Sequence, residues 1–298
     1  MSKIKTFSVI VLSLMLLYCN KKANNNEETI LKGKTKILVD ETLTPIVEDQ
    51  LQVFESDYDA KITLVSKSEA EVLQNLMQDS IQVAIMSRKL TKQDSVFFAR
   101  KKIYPKQTPF ATDAIALIGN KKTNDTLIDL KDVVSFMQGK SQNKIKGLVF
   151  DNPNSSTMRY FNELSGLKSN PEKGIFSFKT NEEVIKYVSE NTGFIGVVGV
   201  NWLLQPTEAV LKYKENINIL NVKSLTGKDY FYPSQNNIAE MTYPLARDLY
   251  IINCQPFAGL GIGFASFVAG DRGQRIILKS GLLPVRIPSR NIHIKKIN

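Results

Sequence analysis

Residues 145–164 read IKGLVFDNPNSSTMRYFNEL, and this stretch decides the fold. Its apolar start, residues 145–150, predicts a short strand, and a helix follows through Arg159, Phe161 and Leu164. A strand that passes through a polar loop into a helix is the repeating unit of parallel α/β sheets. The stretch therefore predicts an α/β fold.

The polar loop inside this stretch, residues 151–157, is the clearest candidate binding site. Ser155, Ser156 and Thr157 lie where the helix begins, so their hydroxyls and the free backbone N–H groups point to one spot. The helix dipole adds partial positive charge there, which favours an oxyanion. Arg159 in the first turn can supply a forked pair of donors. Capping of the helix by the same residues is the alternative interpretation.

The same alternation extends in both directions along the chain. The apolar patterns predict strands at 36–39, 61–65, 81–86, 114–118, 193–198 and 250–252. They predict helices after Thr44, at 70–77, after Thr91, and at 181–188, 260–269 and 273–279. The fold class is therefore mixed, mainly parallel sheets with helices on both faces. Ligands of such sheets bind beyond the carboxyl ends of strands, which points to loops 40–44, 87–91 and 151–157.

Two further loops and one strand start supply additional candidate ligand-binding residues. Thr42 and Thr44 lie at a helix start, and Ser87 and Arg88 follow an apolar strand. Asp113 precedes the strand predicted at 114–118 and can accept a hydrogen bond from a protonated oxyanion. A solvated surface arginine and a turn-capping aspartate are the alternatives for Arg88 and Asp113.

The N-terminus predicts export. Lys3 and Lys5 precede an apolar stretch over residues 7–18, too short to span a bilayer and typical of a signal peptide. Leu16-Leu17-Tyr18-Cys19 resembles a bacterial lipobox, although Tyr18 stands where a small residue is usual. We expect removal of residues 1–18, lipidation of Cys19, a polar tether over 19–33 and a basic tail over 291–298. A plain signal peptide with an incidental cysteine is the alternative.

Composition limits the chemistry. The net charge is +10, with one histidine and two cysteines in 298 residues. Because His293 is the only histidine, a histidine triad or a His-ligated metal site is improbable. No nucleophile–base pair is recognisable either. We therefore expect no enzyme activity, no cofactor and no metal. The lysines and arginines are scattered, which argues against nucleic acid as a partner.

Seven short motifs occur in order along the exported part of the chain. They are TLTP at 42–45, VAIMSRKL at 83–90, ATDAIA at 111–116, SST at 155–157, GFIG at 193–196, YPLARDLYI at 243–251, and the C-terminal set Phe267, Gly273, Gln274, Ile276, Gly281 and Pro284. Together they resemble the substrate-binding proteins of phosphate ABC transporters (PstS-type), within the type II periplasmic binding protein group.

The resemblance implies two lobes, with residues 34–112 and 250–290 in one and 113–249 in the other. Crossings near Asp113 and residues 243–250 would form the hinge. It also implies a monomeric, extracytoplasmic protein that binds phosphate or a related oxyanion in the cleft and docks on an ABC permease. The implied ligand-binding residues are Thr42, Thr44, Ser87, Arg88, Asp113, Ser155, Ser156, Thr157 and Arg159, the last displaced by one position from the arginine of the family pattern.

The departures from the family pattern leave other ligands open. Asp40 and Glu41 replace small hydroxyl residues, Asp151 replaces an arginine, and Asn154 and Ser156 replace two glycines. Carboxylates gathered in one cleft repel an anion unless some are protonated or turned away. A same-fold module for a ligand with an amine or many hydroxyls, and an interaction lipoprotein without a ligand, are the alternative hypotheses.

Overall fold

The predicted alternation of strands and helices is present throughout the computed structural model, which describes residues 28–140 and 145–288. The strands are β1 (Gly33–Asp40), β2 (Ala60–Lys67), β3 (Val83–Met86), β4 (Lys106–Asn120), β5 (Leu127–Asp129), β6 (Gly147–Phe150), β7 (Ile175–Ser177), β8 (Phe194–Gly199), β9 (Ile217–Ile219), β10 (Asn221–Lys223), β11 (Tyr230–Phe231), β12 (Ala246–Asn253) and β13 (Leu283–Pro284). The predicted leader, Cys19, most of the tether and the tail over 291–298 lie outside the described residues.

The helices cover the faces of the sheet. They are α1 (Thr44–Asp57), α2 (Glu69–Met77), α3 (Lys92–Arg100), α4 (Leu130–Met137), α5 (Ser156–Leu164), α6 (Asn181–Glu190), α7 (Asn201–Leu204), α8 (Glu208–Lys214), α9 (Gln235–Ala239), α10 (Leu260–Ala269) and α11 (Asp271–Lys279). A 3₁₀ turn at Glu41–Leu43 joins β1 to α1.

One long mixed sheet, in the order β2-β1-β3-β12-β4-β8-β6-β7, organises the fold. Strands β1, β2 and β3 are mutually parallel in what we call the first lobe, and β6, β7 and β8 are parallel in the second lobe. The connection between the lobes is antiparallel: β4 pairs with β12 over its first part and with β8 and β9 over its second part. β4 therefore belongs to both lobes.

Local sequence explains several element boundaries. A capping box at Thr91 and Asp94 opens α3, and a second one at Ser68 and Glu71 opens α2. Ser155 caps α5 by accepting from the backbone N–H of Met158 at 3.2 Å. One expectation is corrected: Asp113 does not precede its strand but lies inside β4, which begins at Lys106.

The main core lies between the sheet and the helices of the first lobe and continues into the second. Phe54 of α1 is fully buried, with its ring 5.4 Å from those of both Phe264 and Phe267 in edge-on geometry. A second cluster around Leu38, Leu76 and Phe98 fills the opposite face of the same strands. Within residues 28–140 and 145–288, no helix has the length and apolar character needed to cross a membrane.

Truncation of the buried aromatic ring tests this packing. We expect Phe54→Ala to lower the free energy of unfolding by about 3–5 kcal/mol, because the lost ring leaves a cavity among Phe264 and Phe267. The matched control is Tyr104→Ala, which removes a ring that is 82% exposed and should change stability by less than about 0.5 kcal/mol. Urea unfolding followed by circular dichroism measures both; similar losses in the two variants would contradict the core assignment.

Candidate functional site

A buried arginine lies at the junction of the two lobes. The Arg247 guanidinium on β12 contacts Asp113 Oδ2 on β4 at 3.0 Å, and the two residues are paired in register across the strands. It also donates to Thr42 Oγ1 at 3.1 Å and to Ser156 Oγ at 2.8 Å. Thr42 and Ser156, from opposite lobes, are themselves 3.1 Å apart. We call these four residues the Arg247 cluster.

The start of α5 brings Ser155 and Thr157 beside this cluster. Ser155 Oγ and Thr157 Oγ1 lie 2.9 Å apart, and Thr157 donates to Asp151 Oδ1 at 2.8 Å. Ser155 therefore performs the capping role that was the alternative interpretation, while Thr157 is held by a carboxylate from the loop before it. Of the three hydroxyl residues, Ser156 is the one that contacts Arg247.

Arg88 and Arg159 meet on a different residue. Glu69, at the start of α2, accepts from Arg88 Nε at 3.2 Å and from Arg159 Nε at 2.5 Å. Ser87 also donates to Glu69, at 3.0 Å. Because Glu69 and Arg88 belong to the first lobe and Arg159 to the second, this contact joins the lobes. We call Glu69, Ser87, Arg88 and Arg159 the Glu69 bridge.

Thr44 lies apart from both groups. Its hydroxyl is 2.9 Å from that of Ser66 at the end of β2, within the first lobe. The structure therefore brings together Thr42, Asp113 and Ser156 in one cluster, and Ser87, Arg88 and Arg159 in another.

The acidic residues predicted to disturb the site are buried in it. Asn181 of α6 donates to Glu41 Oε2 at 2.7 Å and lies 3.4 Å from Asp151 Oδ2. Burial, with the nearby charge of Asp151, raises the pKa of Glu41 to about 9. Burial, with the charge of Glu69, raises the pKa of Asp40 to about 7. Glu41 is therefore protonated at neutral pH, and its carboxyl group can donate a hydrogen bond.

Asp113 keeps one oxygen free for another partner. Burial raises its pKa even though Arg247 opposes the shift. Among the described residues, Asp113 Oδ1 and Asp40 Oδ2 are buried oxygens without a hydrogen-bond partner. Buried acceptors in native proteins are nearly always paired, so each of these two oxygens has the capacity to accept one further hydrogen bond.

The lobes contact each other directly around the site. Besides the Thr42–Ser156 contact, the Trp202 indole donates to the Thr42 carbonyl at 3.1 Å, and the Ala70 amide donates to the Asn154 carbonyl at 3.3 Å. Thr42, Asp113 and Ser156 are fully buried. The described arrangement is therefore the closed one, with the two lobes in direct contact around the Arg247 cluster.

Three residues of the site were missed by sequence reasoning. The sequence did contain a hint of Arg247, because this residue lies in the YPLARDLYI motif at 243–251 that contributes to the family resemblance. Glu69 and Asn181 had none beyond ordinary polar positions at helix starts. Among the described residues, no group of three His, Cys, Asp or Glu side chains is arranged to hold a metal ion.

A two-lobed α/β fold with a buried polar cluster between the lobes defines the class of periplasmic-binding-protein-like domains. The chain belongs to the PBP superfamily domain family, whose model matches residues 24–272. Among curated proteins, none has a matching sequence.

Solved structures share the fold at low sequence identity. A protein from Clostridium perfringens, assigned as a phosphate ABC transporter substrate-binding protein and solved with bound phosphate, has a TM-score of 0.70 at 19% identity, covering 85% of this chain and 100% of that one. An ABC-type phosphate transport receptor from Vibrio cholerae has a TM-score of 0.62 at 16% identity, covering 84% and 99%. OxyR from Corynebacterium glutamicum has a TM-score of 0.54 at 14% identity, covering 94% and 76%.

The Glu69 bridge yields a prediction about lobe closure. We expect Glu69→Gln to open the lobes and to lower the free energy of unfolding by about 2–3 kcal/mol, less than for a fully buried pair because both arginines are partly exposed. Small-angle X-ray scattering should show a larger radius of gyration. Glu163→Gln, which removes an exposed partner of the same Arg159, is the control. Identical scattering from Glu69→Gln and the wild-type protein would contradict the assignment.

The buried carboxyl groups yield a prediction about pH. Because the pKa values of Glu41 and Asp40 are raised to about 9 and about 7, the folded state binds more protons than the unfolded state between about pH 4 and pH 9. Stability should therefore fall as pH rises through this window. We expect Glu41→Gln to flatten the fall in Tm between pH 5.5 and pH 9, and Glu163→Gln to retain it. An unchanged slope in Glu41→Gln would argue against a protonated Glu41.

Proposed function

We propose that this chain is an extracytoplasmic solute-binding protein that captures phosphate or a related oxyanion between its lobes and delivers it to an ABC importer. The observation that carries the proposal is the Arg247 cluster: one buried guanidinium faces hydroxyl groups from both lobes. Two structures that share the fold are named for phosphate transport, and one of them has bound phosphate.

The chemistry of the cluster suits a protonated oxyanion. Arg247 supplies positive charge, and Thr42 and Ser156 supply one donor from each lobe. The free Oδ1 of Asp113 accepts from a protonated ligand oxygen, and a neutral Glu41 adds no charge that would repel the anion. Sulfate lacks a proton at neutral pH and would leave Asp113 facing an unprotonated oxygen.

The remaining predicted residues have supporting roles in this proposal. Ser155 and Thr157 position the start of α5. Ser87, Arg88 and Arg159 stabilise the closed form through Glu69, and either arginine can face the ligand when the lobes separate. Thr44 holds the start of α1 against β2.

We place the lobe boundaries at 34–112 with 250–290, and at 113–249. The support is that β4 changes its pairing partner from β12 to β8 between Ala114 and Ile115. Bending of β4 and β12 near Asp113 and residues 243–250 would open the cleft. The protein would act as a monomer without catalytic activity, held at the membrane by a lipid on Cys19.

A second candidate ligand class is favoured by the acidic residues. Asp40, Asp113 and Asp151 are buried and Glu41 is partly buried, and Asp40 and Asp113 each keep an unpaired oxygen. A ligand with an amine or several hydroxyl groups would satisfy these acceptors without adding negative charge.

Calorimetric titration of the mature chain with phosphate, and with sulfate as the control anion, tests the first candidate. We expect phosphate to bind and sulfate to be ignored. Arg247→Gln should weaken phosphate binding at least about tenfold, because it removes the buried positive charge and two donors. Arg275→Gln, which changes an arginine paired with Asp271 at the surface, should bind like the wild type. If neither anion produces measurable heat of binding but a polyol or an amine does, the result would favour the second candidate ligand class.

A further inference from the structure

A basic and aromatic surface lies at one end of the first lobe. Residues 92–106 read KQDSVFFARKKIYPK and include α3 and the turn that leads into β4. The segment holds five basic residues, Lys92, Arg100, Lys101, Lys102 and Lys106, all exposed. Its single carboxylate, Asp94, is bound by Arg88 at 3.0 Å. We call residues 92–106 the basic–aromatic surface.

Apolar side chains stand exposed among these charges. Val96 is 52% exposed and Tyr104 is 82% exposed. Phe97 is partly covered by the Lys101 ammonium group, 4.9 Å from the ring centroid. In contrast, Phe98 is buried in the second core cluster and fixes the inner face of α3. Lys92, Val96 and Arg100 are four residues apart and share the outer face.

The C-terminal part of this surface, residues 101–106, lies at the end of the sheet where the tether joins the fold. Lys106 pairs with Asn253, and Asn253 pairs with Val83 near the start of β3. Gln255, just beyond β12, donates to Glu28, the first described residue, at 2.7 Å. Cys19 precedes Glu28 by nine residues, a span of at most about 32 Å when fully extended.

We propose that the basic–aromatic surface binds directly to anionic lipid headgroups. Lysine and arginine side chains attract a negatively charged bilayer surface, and Tyr, Phe and Val side chains insert at the headgroup level. Exposed basic groups interleaved with apolar side chains fit this partner, since a protein surface large enough to cover them would need complementary carboxylates. The contact does not require lipidation of Cys19 or a ligand in the cleft.

The test is sedimentation of the mature chain, residues 19–298 with Cys19→Ser, with vesicles. Vesicles of phosphatidylcholine with phosphatidylglycerol are compared with vesicles of phosphatidylcholine alone. We expect binding to the anionic vesicles that weakens in 0.5 M NaCl, where screening is strong. Lys92→Glu/Lys102→Glu should reduce partitioning at least about tenfold, because neither side chain has an ion-pair or hydrogen-bond partner among the described contacts. Val96→Ser/Tyr104→Ser should also reduce it.

Matched variants in the second lobe distinguish a specific effect of the basic–aromatic surface from a general effect of the charge of the protein. Lys212→Glu/Lys228→Glu makes the same charge change at two exposed lysines, and Leu211→Ser replaces a side chain that is 53% exposed. Both should sediment like the wild type, and all variants should keep the wild-type Tm. Equal binding to neutral and anionic vesicles, or equal losses in both lobes, would overturn the proposal. Undiminished lipid binding in the surface variants, with loss of a protein partner instead, would overturn it as well.

Discussion

The buried ion pair between Arg247 and Asp113 is the constraint on which the rest of the site depends. The two residues face each other across β12 and β4, the strands that connect the lobes. A guanidinium group with so little access to water is costly unless its donors are satisfied, and Asp113 satisfies only part of them. The hydroxyls of Thr42 and Ser156 accept two further hydrogen bonds, one from each lobe. The strands that connect the lobes therefore carry the group that contacts both of them.

The same burial explains how so many carboxyl groups fit around one arginine. Five acidic residues, Asp40, Glu41, Glu69, Asp113 and Asp151, are buried or nearly so, and they could not all be ionised without strong repulsion. Two arginines from opposite lobes neutralise Glu69, and Arg247 neutralises Asp113. Glu41 keeps its proton, with its pKa near 9. Pairing at two positions and protonation at a third therefore lower the negative charge of this group of carboxyls.

The fold could be predicted because its signals are local. Strand-loop-helix units such as 145–164, the capping box at Thr91 and the proline at the start of α1 are set by neighbouring residues. Strands β5, β7 and β9 to β11 were missed because each has only two or three residues, too few to show the alternation of apolar and polar residues that marks a strand. The site was predicted in part, since hydroxyls at helix starts are also local. Glu69 and Asn181 could not be predicted, because their partners in the opposite lobe, Arg159 and Glu41, lie 90 and 140 residues away.

The cleft and the C-terminal part of the basic–aromatic surface lie at opposite ends of the strands of the first lobe. Asp40 and Ser87 follow the carboxyl ends of β1 and β3, whereas residues 101–106 and Glu28 lie at the amino ends. Helix α3 runs between the two ends, with Asp94 beside Arg88. The eight residues of β1 separate these ends by about 26 Å. A chain that rests on lipid through residues 101–106 would hold the carboxyl ends of these strands away from the bilayer. Delivery to a permease, as the proposed function has it, would need the cleft to face the membrane, and the segment from Cys19 to Glu28 spans at most about 32 Å. Lipid contact and delivery would then be alternating states of one anchored molecule.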